Sequence, residues 1–133
     1  MQRRFTLGKD ERLKSRKQIE QLFSEGKSFV VSPYKIYYLI RKMKPGLQFG
    51  IGVSGKNFKK AADRNKIKRL TKEAYRLQKL PLQQIVKTLS KGVNIFFIYT
   101  GKELPEFILV KEKVAVVLKK LELIIDENVP SNS

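Results

Sequence analysis

Residues 62–79 read "ADRNKIKRLTKEAYRLQK", with seven basic side chains (Arg64, Lys66, Lys68, Arg69, Lys72, Arg76 and Lys79) against two acids, Asp63 and Glu73. On a wheel of about 100° per residue, Ile67, Leu70, Ala74 and Leu77 fall within about 80° of one another and form the stripe expected to be buried. Arg64, Lys68, Arg69, Lys72, Arg76 and Lys79 spread over about 140° on the other side. Asn65 lies inside that arc and Tyr75 towards its edge. The spacing predicts a long helix over residues 61–79, ended near Pro81. A helix that needs only solubility mixes signs, since opposite charges at i,i+4 add roughly a few tenths of a kcal/mol each. Here Arg64 stacks over Lys68, Lys68 over Lys72 and Lys72 over Arg76. A solvated face is the plain reading of such a run. A face that meets phosphates explains it better, because phosphates convert mutual repulsion into counterion release.

Working outward, "LQFGIGVS" (47–54) alternates, with Leu47, Phe49, Ile51 and Val53 on one face and Gln48, Gly50, Gly52 and Ser54 on the other. That is a half-buried strand whose second face is bare. The glycines would admit either a bound polyanion or a closely packed helix, and the helix is favoured. "PLQQIVKTLS" (81–90) reads as a short helix and "GVNIFFIYTG" (92–101) as a central strand, apolar on both faces. Phe96, Phe97 and Tyr99 are therefore expected in the core. Pro105 opens a last helix with Val110, Val114, Val117, Leu118, Leu121 and Ile125 buried. Towards the N-terminus, "SRKQIEQLFSEG" (15–26) has capping-box spacing between Ser15 and Gln18, an apolar set at Ile19, Leu22 and Phe23, and Gly26 to close it. "KSFVVSPYKIYYLIRKM" (27–43) is β-branched and aromatic, broken at Pro33, and "KPG" (44–46) marks a turn. The order α-β-β-β-α-β-α implies an α+β fold, one sheet with helices packed on it. Residues 1–125 are expected to form one polyanion-binding domain and 126–133 a flexible tail.

The chain of 133 residues carries 29 Lys and Arg against 12 Asp and Glu, a net charge of +17. Self-repulsion at that level is usually offset by a polyanion. Its distribution is uneven: residues 56–79 hold ten basic and two acidic residues, whereas residues 101–133 hold five and six. No run has the roughly 18 consecutive apolar residues of a membrane span, and no apolar segment follows the basic N-terminus as in a secretory signal. With no cysteine, disulfides and thiolate metal sites are excluded, and a cytoplasmic location is expected.

"RNKIKRLTKEAYR" resembles the RNR motif of the bacterial ribonuclease P protein subunit, which runs roughly R-N-R-x-K-R-x-x-R-E. Arg64, Asn65, Lys66, Lys68, Arg69, Lys72 and Glu73 occupy those positions. "RLKSRKQIEQLFSEGKSF" is similar to the family's first helix and following glycine, and "FGIGVS" to its third strand, so the likeness covers most of residues 10–122. Lys66 and Lys72 replace arginines, which keeps charge and loses the bidentate fork. "KNFKKAAD" replaces a Gly-containing lead-in, and Ile19 stands where many members carry Phe. The resemblance implies a sandwich of the ribosomal protein S5 domain 2-like type with a left-handed βαβ crossover, against the general preference for right-handed ones. It also implies a ribonucleoprotein endonuclease whose RNA subunit binds the catalytic Mg2+ and cleaves precursor tRNA. The protein contacts that RNA through the RNR helix, here Arg64, Asn65, Lys66, Lys68, Arg69, Lys72 and Arg76. A cleft between the first helix and the sheet holds the 5′ leader.

That division fits the residues present. There is no His and no Cys, hence no Ser-His or Cys-His nucleophile pair and no ordinary zinc site. The acids are scattered, and the adjacent pairs Asp10/Glu11 and Asp126/Glu127 lie near the termini, so a two-metal nuclease site does not assemble. Single strands are held by aromatic platforms in basic grooves. In the strand after Pro33 one face reads Tyr34, Ile36, Tyr38, Ile40 and the other Lys35, Tyr37, Leu39, Arg41. The second mixes cations with an aromatic ring, which selects Tyr37 with Lys35 and Arg41, and Phe23 from the first helix, as candidate leader contacts; Phe23 and Tyr37 would otherwise be packing residues. The expected partners are ribonuclease P RNA and precursor tRNA, with no membrane and no small-molecule substrate. A ribosomal or RNA-chaperone protein using the same helix is the alternative. Duplex-DNA binding would want a recognition helix and a dimer partner, and no dimerisation element is visible.

Overall fold

A computed structural model describes residue 8, residues 11–41 and residues 45–127. The elements run α1 (Arg16–Glu25), β1 (Lys27–Val31), β2 (Tyr34–Arg41), β3 (Gly46–Val53), α2 (Ala61–Gln78), α3 (Leu80–Thr88), β4 (Gly92–Tyr99) and α4 (Phe107–Glu127). The expected order holds, with residues 81–88 inside a short helix of their own. Helix α4 carries Asp126 and Glu127, the first two residues of the expected tail; residues 128–133 lie outside the described residues.

Local chemistry sets the boundaries. The Ser15 side chain accepts a hydrogen bond from the Gln18 backbone N–H and caps α1, as the capping spacing requires. Gly26 ends the helix in extended conformation. Its role is space, since a Cβ there would lie 2.5 Å from the Leu22 carbonyl oxygen and 2.7 Å from that of Tyr38. Pro33 follows a cis peptide in the β1–β2 turn. Gly46, at φ +142°, starts β3 in a conformation that L side chains rarely adopt.

The sheet order is β1-β2-β4-β3, with β4 antiparallel to β2 and parallel to β3. The parallel pair forces a crossover, which α2 and α3 supply. One sheet face presents Tyr34, Ile36, Leu47, Phe49, Val93, Ile95, Phe97 and Tyr99 to α2, α3 and α4 and forms the core. In α4 the buried residues are Val110, Val114, Val117, Leu118, Leu121 and Ile125, as the periodicity predicts. Helix α1 packs on the opposite face through the fully buried Leu22.

Helix α2 is rotated relative to the expected stripe. Ile67 and Ala74 are buried, but their companions are Thr71 and Tyr75; Leu70 is half-buried and Leu77 is exposed. Tyr75, expected at the edge of the basic arc, stacks on Phe49 with ring centroids 4.0 Å apart and planes 9° apart. Thr71 donates to the Ile67 carbonyl and sits 2.7 Å from the Tyr34 hydroxyl, so its polarity is satisfied inside the core. A wheel that counts only aliphatic residues misses both.

Candidate nucleic-acid interface

The rotation of α2 sorts its cations. Asn65, Lys66, Arg69 and Lys72 are exposed, and Lys68 is half-buried. Arg76 is tied to Glu73 by a two-point ion pair, with Nη2 to Oε2 at 2.6 Å and Nε to Oε1 at 3.1 Å. That contact holds the Glu73 carboxyl below its ordinary range. Arg64 turns back on the lead-in loop, where its Nη1 donates to the Phe58 carbonyl at 2.7 Å and the Lys59 carbonyl at 2.9 Å. Residues 55–60 are thus braced by an arginine rather than by glycine conformation, and the Asn57 amide pins them to the carbonyls of Thr100 and Gly101.

Lys79 leaves the basic arc altogether. Its side chain is 1% exposed, with the ammonium 2.5 Å from Glu11 Oε1, which also accepts from the Gln83 amide. Glu11 is therefore a structural clamp. It holds the segment before α1 to the α2–α3 junction, while the Leu13 backbone N–H donates to the Phe49 carbonyl.

The second surface lies between α1 and the sheet. Phe23, 43% exposed, meets Tyr37 with ring centroids 4.8 Å apart and Phe96 edge-on at 5.4 Å. The Lys35 ammonium lies 5.1 Å above the Tyr37 ring, a cation–π contact. Phe23, Lys35 and Tyr37 are brought together as expected. Phe96 joins them, against its assignment to the core. It pairs with Tyr37 across β2–β4 and is half-buried, whereas Phe97 and Tyr99 are buried. The bare glycines of β3 serve this ring rather than a helix. A Cβ on Gly50 would come within 2.6 Å of Phe96, and one on Gly52 within 3.1 Å.

Arg41 stands apart. It is four residues from Tyr37, about 13 Å along the strand. Its Nε donates to Asn94 Oδ1 at 2.7 Å and its Nη2 to the Gly46 carbonyl at 3.3 Å. Burial lowers its pKa from the ordinary arginine value. It lines a cavity of about 1080 Å³ with Glu11, Gln18, Gln21, Glu25 and Gln48. Lys87 lines it as well, so the two carboxylates at that end of the cleft face two cations, Arg41 and Lys87. The signal for Phe96 was present only in register: a residue opposite Tyr37 and beside two glycines must face the cleft.

Known proteins share this chain's sequence pattern and its fold. Residues 7–122 match the sequence model of the family described as Ribonuclease P. The chain is 35% identical over 131 residues to a ribonuclease P protein component from Porphyromonas gingivalis, covering 97% of this chain and 93% of that one. It is 30% identical to the component from Chlorobium phaeobacteroides, covering 89% of each. The RNase P protein from Thermotoga maritima superposes with a TM-score of 0.65 at 31% identity, covering 83% of this chain and 96% of that one. The Staphylococcus aureus protein shares the fold, with a TM-score of 0.69 at 22% identity over 84% and 94% of the two chains.

Proposed function

The chain belongs to the ribonuclease P protein family, and from that premise we propose how its two surfaces divide the work of maturing tRNA 5′ ends. The chain acts as the protein side of a ribonucleoprotein endoribonuclease, with an RNA partner that carries the catalysis; the ribosomal or chaperone alternative is set aside. The exposed face of α2 docks on ribonuclease P RNA. Asn65, Lys66, Arg69 and Lys72 make the direct contacts, with Lys68 and Arg76 at the margins. Arg64 contributes mainly by fixing the loop that leads into the helix. The cations displace condensed counterions from the RNA, which supplies affinity without reading sequence.

The leader of precursor tRNA lies along the cleft on Phe23, Tyr37 and Phe96, with Lys35 beside it. Stacking on such rings tolerates any base, as a protein that meets many leaders requires. Arg41 orients Asn94 and the start of β3. The RNA would hold the Mg2+ and supply its Lewis-acid chemistry, and the protein's contribution is to raise local substrate concentration and position the scissile bond. These events take place in the cytoplasm.

The family match carries this reading, and the exposed basic face set apart from an aromatic cleft supports it. The experiment is cleavage of a 5′-extended precursor tRNA at low Mg2+ by this protein, by a bacterial ribonuclease P RNA, and by the two together. Cleavage at the mature 5′ end by the mixture alone is expected. Tight binding to the RNA without any stimulation of cleavage would return the protein to the general RNA-binding class.

A further inference from the structure

Helix α4 presents a second ordered stripe, opposite its buried one. Ile108, Glu112, Val116, Lys119 and Leu123 lie within about 80° on the outer wall of the helix, and the exposed Asp126 continues the line one turn beyond them. All five are exposed, Ile108 at 71%, Val116 at 52% and Leu123 at 57%. One exposed leucine needs no explanation. Three apolar side chains in one line, separated by a single acid and then a single base, do.

Read from the N-terminal end, the stripe is apolar, acid, apolar, base, apolar. Turned end for end it is apolar, base, apolar, acid, apolar. Laid antiparallel against itself, every apolar side chain meets an apolar one, Glu112 meets Lys119, and Lys119 meets Glu112. A parallel pairing would set Glu112 against Glu112. Self-complementarity under a half-turn is what an isologous two-fold contact requires. The stripe also lies in residues 101–133, which are net −1, while the rest of the chain carries the positive charge. Two copies could touch here with less repulsion than anywhere on α2.

We propose that the outer face of α4 is a docking surface for a second copy of this chain, held antiparallel about a two-fold axis near Val116. Leu109, 38% exposed, widens the apolar track at one edge. The stripe spans about 22 Å, short of the roughly 800 Å² per partner of a standard interface. The dimer is therefore weak and concentration-dependent. At +17 per copy it strengthens when salt, or RNA on the basic faces, screens the long-range repulsion.

The test is sedimentation of the full chain over a concentration series in about 0.15 M salt, with and without its RNA partner. Glu112→Lys and Lys119→Glu each place like charges across both contacts, and each should weaken the dimer about tenfold. The Lys119→Glu loss is the sharper sign, because that variant lowers net charge and should otherwise associate more readily. An equimolar mixture of the two variants should recover a heterodimer, since each then offers what the other lacks. Val116→Asp should abolish association. All these positions are exposed, so an unchanged thermal melt separates loss of docking from loss of fold. A wild-type chain that stays monomeric in every condition would overturn the proposal. So would a dimer indifferent to these substitutions, or a mixture no better than its components.

Discussion

Arg64 and Arg69 carry the same charge on the same helix, yet Arg69 projects into solvent while Arg64 spends Nη1 on two backbone carbonyls. Replacing them by alanine should give different signatures. Arg69→Ala should leave the stability unchanged and lower the log–log salt slope of RNA binding by about one unit. Arg64→Ala should cost about 1–2 kcal/mol of unfolding free energy, since hydrogen bonds from a charged donor are lost. Urea melts together with binding across a salt series measure both, and equal stability losses would refute the assignment. Tyr37 is the test of the cleft. Tyr37→Ala should weaken precursor tRNA binding by about 1–3 kcal/mol and leave mature tRNA binding nearly unaffected. Equal losses for the two ligands would remove Tyr37 from the leader site.

At the scale of elements, the junction of α2 and α3 depends on a residue far away in sequence. Lys79 is buried and its charge is matched by Glu11, 68 positions upstream. Glu11→Ala removes the carboxylate that meets that buried ammonium and should destabilise the protein by about 3 kcal/mol. Replacing both partners by apolar residues, Glu11→Leu with Lys79→Met, should cost much less. Denaturant melts of the single and double variants measure the difference, and a single variant as stable as wild type would show the clamp to be ornamental. The segment so clamped is also held to β3 by the Leu13 N–H on the Phe49 carbonyl, two residues further on. None of this is legible from helical periodicity, which placed Lys79 with the exposed cations.

The whole molecule should respond to alkali through its core. Burial pushes the Tyr34 phenol from 10.0 up to about 12, and raises that of Tyr75 as well. A pKa raised by folding favours the folded state fully below pH 10, because both states then hold the proton. As pH rises from about 10 to 12 the unfolded chain ionises while the core resists, and stability falls by roughly 2–3 kcal/mol for Tyr34 alone. Denaturant midpoints across that window should drop, and phenolate absorbance should show Tyr34 and Tyr75 titrating only as the chain unfolds. A flat stability profile would mean that these hydroxyls reach water in the folded state.

Much was decided by the chain's own pattern. Alternation in residues 47–54, the apolar repeat of residues 110–125 and the cap at Ser15 depend on neighbours one or two turns away, so element order and the α4 core stripe could be read directly. The concentration of cations in residues 56–79 pointed to a polyanion for the same reason, because charge is a property of composition. What needed the tertiary structure were questions of which way an element faces. The rotation of α2 follows from Tyr75 finding Phe49 and Thr71 finding Tyr34, contacts between residues 26 and 37 positions apart. Phe96 reached the cleft because β4 lies between β2 and the glycines of β3, and Arg41 sits at the far end of that cleft, where Asn94 accepts from its guanidinium. Periodicity says that a helix or strand has two faces; only long-range packing says what each one meets.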